Sequence, residues 1–111
     1  VIKRKISINK KKFCINGKDE IISLSSNNQK KIFNIRFHLT PLCKVLLTRG
    51  KMSAIIKTNK SSYLFKSDNE ISLEESIFVN DINKIVKSSQ IVISGVCNTP
   101  KKNINWDISK H

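Results

Sequence analysis

Apolar and polar positions alternate from the start of the chain. Ile6 and Ile8 flank Ser7, and Phe13 and Ile15 resume the alternation, so the first 15 residues predict one long or two short strands with a single apolar face. Asn16-Gly17 follows, a pair suited to the positive φ angles of a tight hairpin turn. Ile22 and Leu24 then supply the second arm, with the loop either closed at Gly17 or stretched to Asp19. Residues 25–31 are polar and rich in strand breakers. Beyond them Phe33, Ile35, Phe37 and Leu39 alternate with Asn34, Arg36 and His38, which predicts a half-buried third strand and a three-stranded meander.

Two stretches carry helix signals. Thr40-Pro41 has the form of an N-cap with proline at the first helical position, and Arg49-Gly50 that of a stop, bracketing a short helix over Leu42–Thr48. Ser72-Leu73-Glu74-Glu75 fits a capping box, and Leu73, Ile77, Phe78, Ile82, Ile85 and Val86 recur at helical spacing, predicting a helix over 73–88. Between them Met52, Ala54 and Ile56 alternate, Asn59-Lys60-Ser61-Ser62 turns, and Tyr63 and Phe65 recover period two, a second hairpin. Gln90–Val96 is apolar enough for a central strand buried on both faces. Asn98–His111 reads as an irregular tail anchored by Trp106.

The predicted order is β-β-β-α-β-β-α-β, an α+β fold with two helices on an antiparallel sheet or partly open barrel. Residues 1–97 form one domain and 98–111 a tail. The first 67 residues are similar in element order to a five-stranded oligonucleotide-binding barrel, a fold that binds single strands on a curved sheet face.

Charge changes the picture more than any motif. The net formal charge is +13, and it is uneven: residues 1–67 hold sixteen Lys/Arg against Asp19 and Glu20, whereas residues 68–111 hold five against six acids. Eighteen Lys against three Arg, beside eighteen Ile, is the bias of AT-rich coding, which loads surfaces with lysine irrespective of function. The field is physical all the same and attracts polyanions in a salt-dependent way. Lys3, Arg4, Lys5, Lys10, Lys11, Lys12, Lys30, Lys31 and Arg36 fall on or beside the predicted meander and form the expected basic face. Lysine is a compact point charge that neutralises phosphates without reading bases. The expected function is therefore a non-enzymatic domain that binds the backbone of a nucleic acid, RNA or another single strand foremost. Phe13, Phe33, Phe37, Tyr63 and Phe65 would have to lie on the open face for base stacking, and their alternation puts most of them inside.

Two alternatives stay open. Cys14, Cys43 and Cys97 match no zinc or CxxC spacing. As reduced thiols they act as small apolar side chains; one disulfide among them would instead indicate a secreted or periplasmic interaction protein with a protein partner. A small basic nuclease toxin would draw its acid, base and cation from His38, His111 and Lys12 or Lys44. No glycine-rich phosphate loop or nucleophile elbow is present, and no cofactor or metal is expected. No apolar run approaches the length of a membrane-spanning helix, and no signal peptide opens the sequence. An intracellular location is favoured, with a secreted or periplasmic one following if a leader was removed before Val1.

Overall fold

A computed structural model describes residues 2–22, 31–79, 85–97, 99 and 101–111. Among these residues every regular element is a β-strand. In chain order they are β1 (Ile2–Asn9), β2 (Cys14–Ile22), β3 (Lys31–His38), β4 (Lys44–Leu47), β5 (Ser53–Lys57), β6 (Ser62–Ser67), β7 (Ile71–Val79), β8 (Ile85–Cys97) and β9 (Lys101–Lys110). They build a six-stranded sheet, β1-β2-β9-β6-β5-β4, and a three-stranded sheet, β3-β8-β7, with every described pairing antiparallel. Among the described residues no helix is long and apolar enough to cross a membrane.

The α+β expectation is thus overturned by an all-β sandwich, and the helix signals have other uses. Thr40-Pro41 makes a single turn, closed by Cys43 N–H donating to the Thr40 carbonyl at 3.1 Å, and β4 follows at once. Gly50 lies in the β4–β5 turn, where Lys51 takes a φ of 57° and its N–H donates to the Thr48 carbonyl. Cap and turn residues are the same residue types, because both must satisfy backbone groups outside regular structure. Within 73–88 the helical spacing is carried by steps of four, Leu73 to Ile77 and Phe78 to Ile82 to Val86. An even step also fits a strand. Ile71, Leu73, Ile77 and Val79 share one face of β7, and β-branched side chains favour that outcome. Ile82 lies outside the described residues.

The three-stranded meander is likewise replaced. β2 pairs with β9, and β3 moves to the other sheet beside β8. The hairpin joining β1 and β2 turns over Lys10–Phe13, ahead of the expected turn at Asn16-Gly17. There Asn9 Oδ1 accepts from Lys11 N–H at 3.1 Å, and Phe13 adopts a φ of 42°. Gly17 sits inside β2 for a different reason: a Cβ there would overlap the Trp106 ring. Leu24 lies outside the described residues. Residues 101–110, expected to be irregular, form β9 between β2 and β6. The β5–β6 hairpin follows the alternation, and β8 is central in its sheet, buried on both faces at Ile91, Val92 and Ile93 but exposed at Ser94 and Val96.

An aromatic cluster holds the two sheets together. Phe37 of the smaller sheet meets Phe65 and Trp106 of the larger edge-on, at centroid distances of 5.1 and 4.9 Å. Arg4 extends over both Phe37 and Trp106, 4.9 and 5.5 Å from the ring centroids, and its guanidinium pairs with the fully buried Asp19. The carboxylate raises the arginine pKa, mainly by hydrogen bonding and against the opposing effect of burial. Three strands cannot cover six. The inner-face residues Ile2, Ile6 and Ile8 of the edge strand β1 therefore stay exposed.

Candidate functional site

Because side chains alternate along each strand, the register defines which residues share the outer face of the six-stranded sheet. One cross-strand row runs Lys3, Glu20, Asn103; the next runs Lys5, Lys18, Asn105; a third runs Ser7, Asn16, Asp107, Lys66. At the far edge Lys44 lies opposite Lys57. The face thus carries two like-charged pairs directly opposed in register, Lys5 with Lys18 and Lys44 with Lys57. None of these four lysines makes an ion pair among the described residues. Like charges in that position destabilise a sheet unless an anion lies between them. Glu20 lies on the same face beside the first pair, and it is drawn to Lys101 at 3.2 Å. Lys3, Lys5, Lys18 and Glu20 surround a small hollow of about 70 Å³.

Beside it, where β6 parts from β9, lies a larger cleft of about 440 Å³. Asn16, Lys66, Asp68, Asn105 and Asp107 line it, with Gly17, Ser67 and Trp106. Asp68 is committed to holding its wall: Oδ2 accepts from the Asn105 backbone N–H at 3.1 Å and from Asn105 Nδ2 at 3.0 Å. Asn69 Nδ2 donates to the other oxygen at 2.8 Å. Lys66 and Asp107, though opposite in charge and in register, make no ion pair with each other. Lys18 stands in register with Asn105 and so joins the two hollows.

The nine basic residues expected to form one face are distributed differently. Lys3 and Lys5 are on the outer face just described. Arg4, between them, points inward to Asp19. Lys10, Lys11 and Lys12 are exposed in the β1–β2 turn at the end of the sheet. Arg36 is on the outer face of the opposite sheet, 3.3 Å from Glu74. Lys31 opens β3, paired with Cys97, and Lys30 lies outside the described residues. Sequence reasoning missed Lys18, Lys57, Lys66 and Lys101, and considered Lys44 only as a nuclease cation. The signal for Lys18 was its parity with Asn16 and Glu20, hidden once the turn was set at Asn16-Gly17.

Catalytic groups are not gathered. His38 hydrogen-bonds Ser76 Oγ through Nδ1 at 2.8 Å on the outer face of the smaller sheet. Lys44 projects from the opposite side of the sandwich; Lys12 and His111 lie at one end of the six-stranded sheet, where Lys110 N–H donates to the Phe13 carbonyl at 3.3 Å, whereas His38 is on the smaller sheet. Among the described residues no three His, Cys, Asp or Glu side chains cluster as metal ligands, and all three cysteines are free thiols.

The family model for the heparinase II/III-like C-terminal region matches residues 1–107, nearly the whole chain. The chain belongs to this heparinase II/III-like C-terminal family. No curated protein and no solved structure matches it.

Proposed function

We propose that this heparinase II/III-like C-terminal domain is a non-enzymatic polysaccharide-binding module. Its ligand is an anionic, heparin-class chain held on the outer face of the six-stranded sheet. The observation that carries the reading is the pair of in-register lysine couples, Lys5–Lys18 and Lys44–Lys57, on one face, none of the four making an ion pair among the described residues. Sulfate or carboxylate groups between the members of each couple would relieve their repulsion and release counterions. The family name favours a polysaccharide over the nucleic acid expected from charge alone, since heparinases belong to a family of polysaccharide lyases.

The chemistry of the face supports the same choice. Single-stranded nucleic acid binders present aromatic rings for bases to stack on. Here Phe33, Phe65 and Trp106 are buried between the sheets and Phe37 is packed against them, while Phe13 and Tyr63 contact each other at 5.3 Å. The outer face offers lysines and carboxamides instead, which suit a polymer of anionic groups and hydroxyls without bases.

The test is binding of a heparin oligosaccharide and of single-stranded RNA across a salt series. The proposal expects heparin binding that weakens with salt and falls in the Lys5→Gln/Lys18→Gln variant. Absent binding at low salt, or RNA bound more tightly than heparin, contradicts it.

A further inference from the structure

The cleft beside Lys18 differs in chemistry from the lysine couples, and it is built for something other than an anionic group. Its volume, about 440 Å³, is that of a small-molecule site. Its outer rim combines the carboxylates Asp68 and Asp107, the carboxamides Asn16 and Asn105, and the single cation Lys66. Two carboxylates disfavour a sulfate or a second carboxylate in the same space. Donors and acceptors side by side match a ring bearing several hydroxyls, because each hydroxyl both donates and accepts.

The rim is also held in position. Asp68 fixes Asn105 through its backbone N–H and its Nδ2, so the Asn105 carboxamide is turned with Nδ2 engaged and Oδ1 left as an acceptor. Asp107 lies in register between Asn16 and Lys66, and neither Asp107 nor Lys66 has an ion-pair partner among the described residues. Three interstrand steps separate β1 from β6, about 14 Å, so one extended chain can cross both hollows.

We infer that this cleft is a neutral sugar-ring subsite, in which Asn16, Asn105, Asp107 and Lys66 hydrogen-bond the hydroxyls of one uncharged residue while the neighbouring Lys5–Lys18 couple takes an anionic group of the same polymer. The inference rests on the polysaccharide reading and adds a second, salt-insensitive determinant to it.

The experiment uses an uncharged trisaccharide of N-acetylglucosamine as probe and follows backbone amide resonances of the intact chain. Saturable shifts are expected at Asn16, Asp68, Asn105 and Asp107, with an affinity unchanged by added salt. Asp107→Ala should weaken binding about tenfold, the loss of a charge-assisted hydrogen bond. Lys66→Met, at an exposed side chain with no ion-pair partner among the described residues, is the second variant; it should leave the fold intact and weaken binding severalfold. Shifts that are absent or lie elsewhere, or that vanish with salt, overturn the subsite. If they do so while lysine-dependent heparin binding persists, the subsite alone falls. If the trisaccharide binds the cleft but heparin does not bind at low salt, the polyanion reading falls instead.

Discussion

Arg4 donates Nε to Asp19 Oδ1 at 2.7 Å and Nη2 to Oδ2 at 2.9 Å, a two-point pairing that carries a fully buried carboxylate inside the sandwich. Both residues lie on the inner face, in register across β1 and β2. Replacing Arg4 by Met strands the carboxylate and should cost about 2–3 kcal/mol, at the lower end for a buried pair because the guanidinium is 38% exposed. Arg4→Met/Asp19→Leu should recover most of that loss, as read by urea denaturation. Since the arginine pKa is raised, its contribution is complete below arginine's ordinary pKa and is lost only at still more alkaline pH.

Gly17 should not tolerate a methyl group. The Trp106 ring occupies the space a Cβ would need, and Trp106 is part of the aromatic cluster between the sheets. Gly17→Ala should destabilise by about 1–3 kcal/mol through overpacking, visible as a lower thermal midpoint.

Removal of residues 101–111 should abolish cooperative folding rather than trim a tail. β9 pairs with β2 on one side and β6 on the other, and it supplies the buried Ile104 and Trp106. Without it the six-stranded sheet is split in two, and the truncated chain should show no sigmoidal unfolding transition by circular dichroism.

Thiol reactivity should separate the cysteines. All three are free, so a denatured sample should titrate three thiols; in the native protein Cys97, 3% exposed, should react more slowly than Cys14 and Cys43. A titre of one in denaturant would mean a disulfide that this fold does not contain.

Much of the strand content was legible where alternation was strict, as at Phe33–Leu39 and in Met52–Phe65, and where a short apolar run marked a central strand, as at Gln90–Val96. What misled was ambiguity of period and of punctuation. Steps of four between Leu73 and Ile77 satisfy helix and strand equally, and Thr40-Pro41 or Arg49-Gly50 serve a turn as well as a helix end. Asn16-Gly17 is a strong turn signal locally, but Gly17 is glycine because of Trp106, 89 positions away in sequence, a long-range packing demand that local propensity does not encode. The exposure of Ile2, Ile6 and Ile8 was equally hidden, since it follows from unequal sheet widths.

The candidate site was legible only as excess charge. Adjacent basic residues such as Lys3-Arg4-Lys5 project to opposite faces of a strand, so a run in sequence is not a patch in space. The face instead assembles lysines from β1, β2, β4, β5, β6 and β9, and only the register reveals which of them meet.

The most direct measurement of the central claim is a titration of the isotope-labelled chain with a heparin oligosaccharide at low salt, followed by amide resonances. Perturbations should concentrate on the outer face of the six-stranded sheet, at Lys3, Lys5, Lys18 and Lys101, and fade as salt is raised. A response confined to Arg36 and His38 on the opposite sheet, or none at all, would contradict the account.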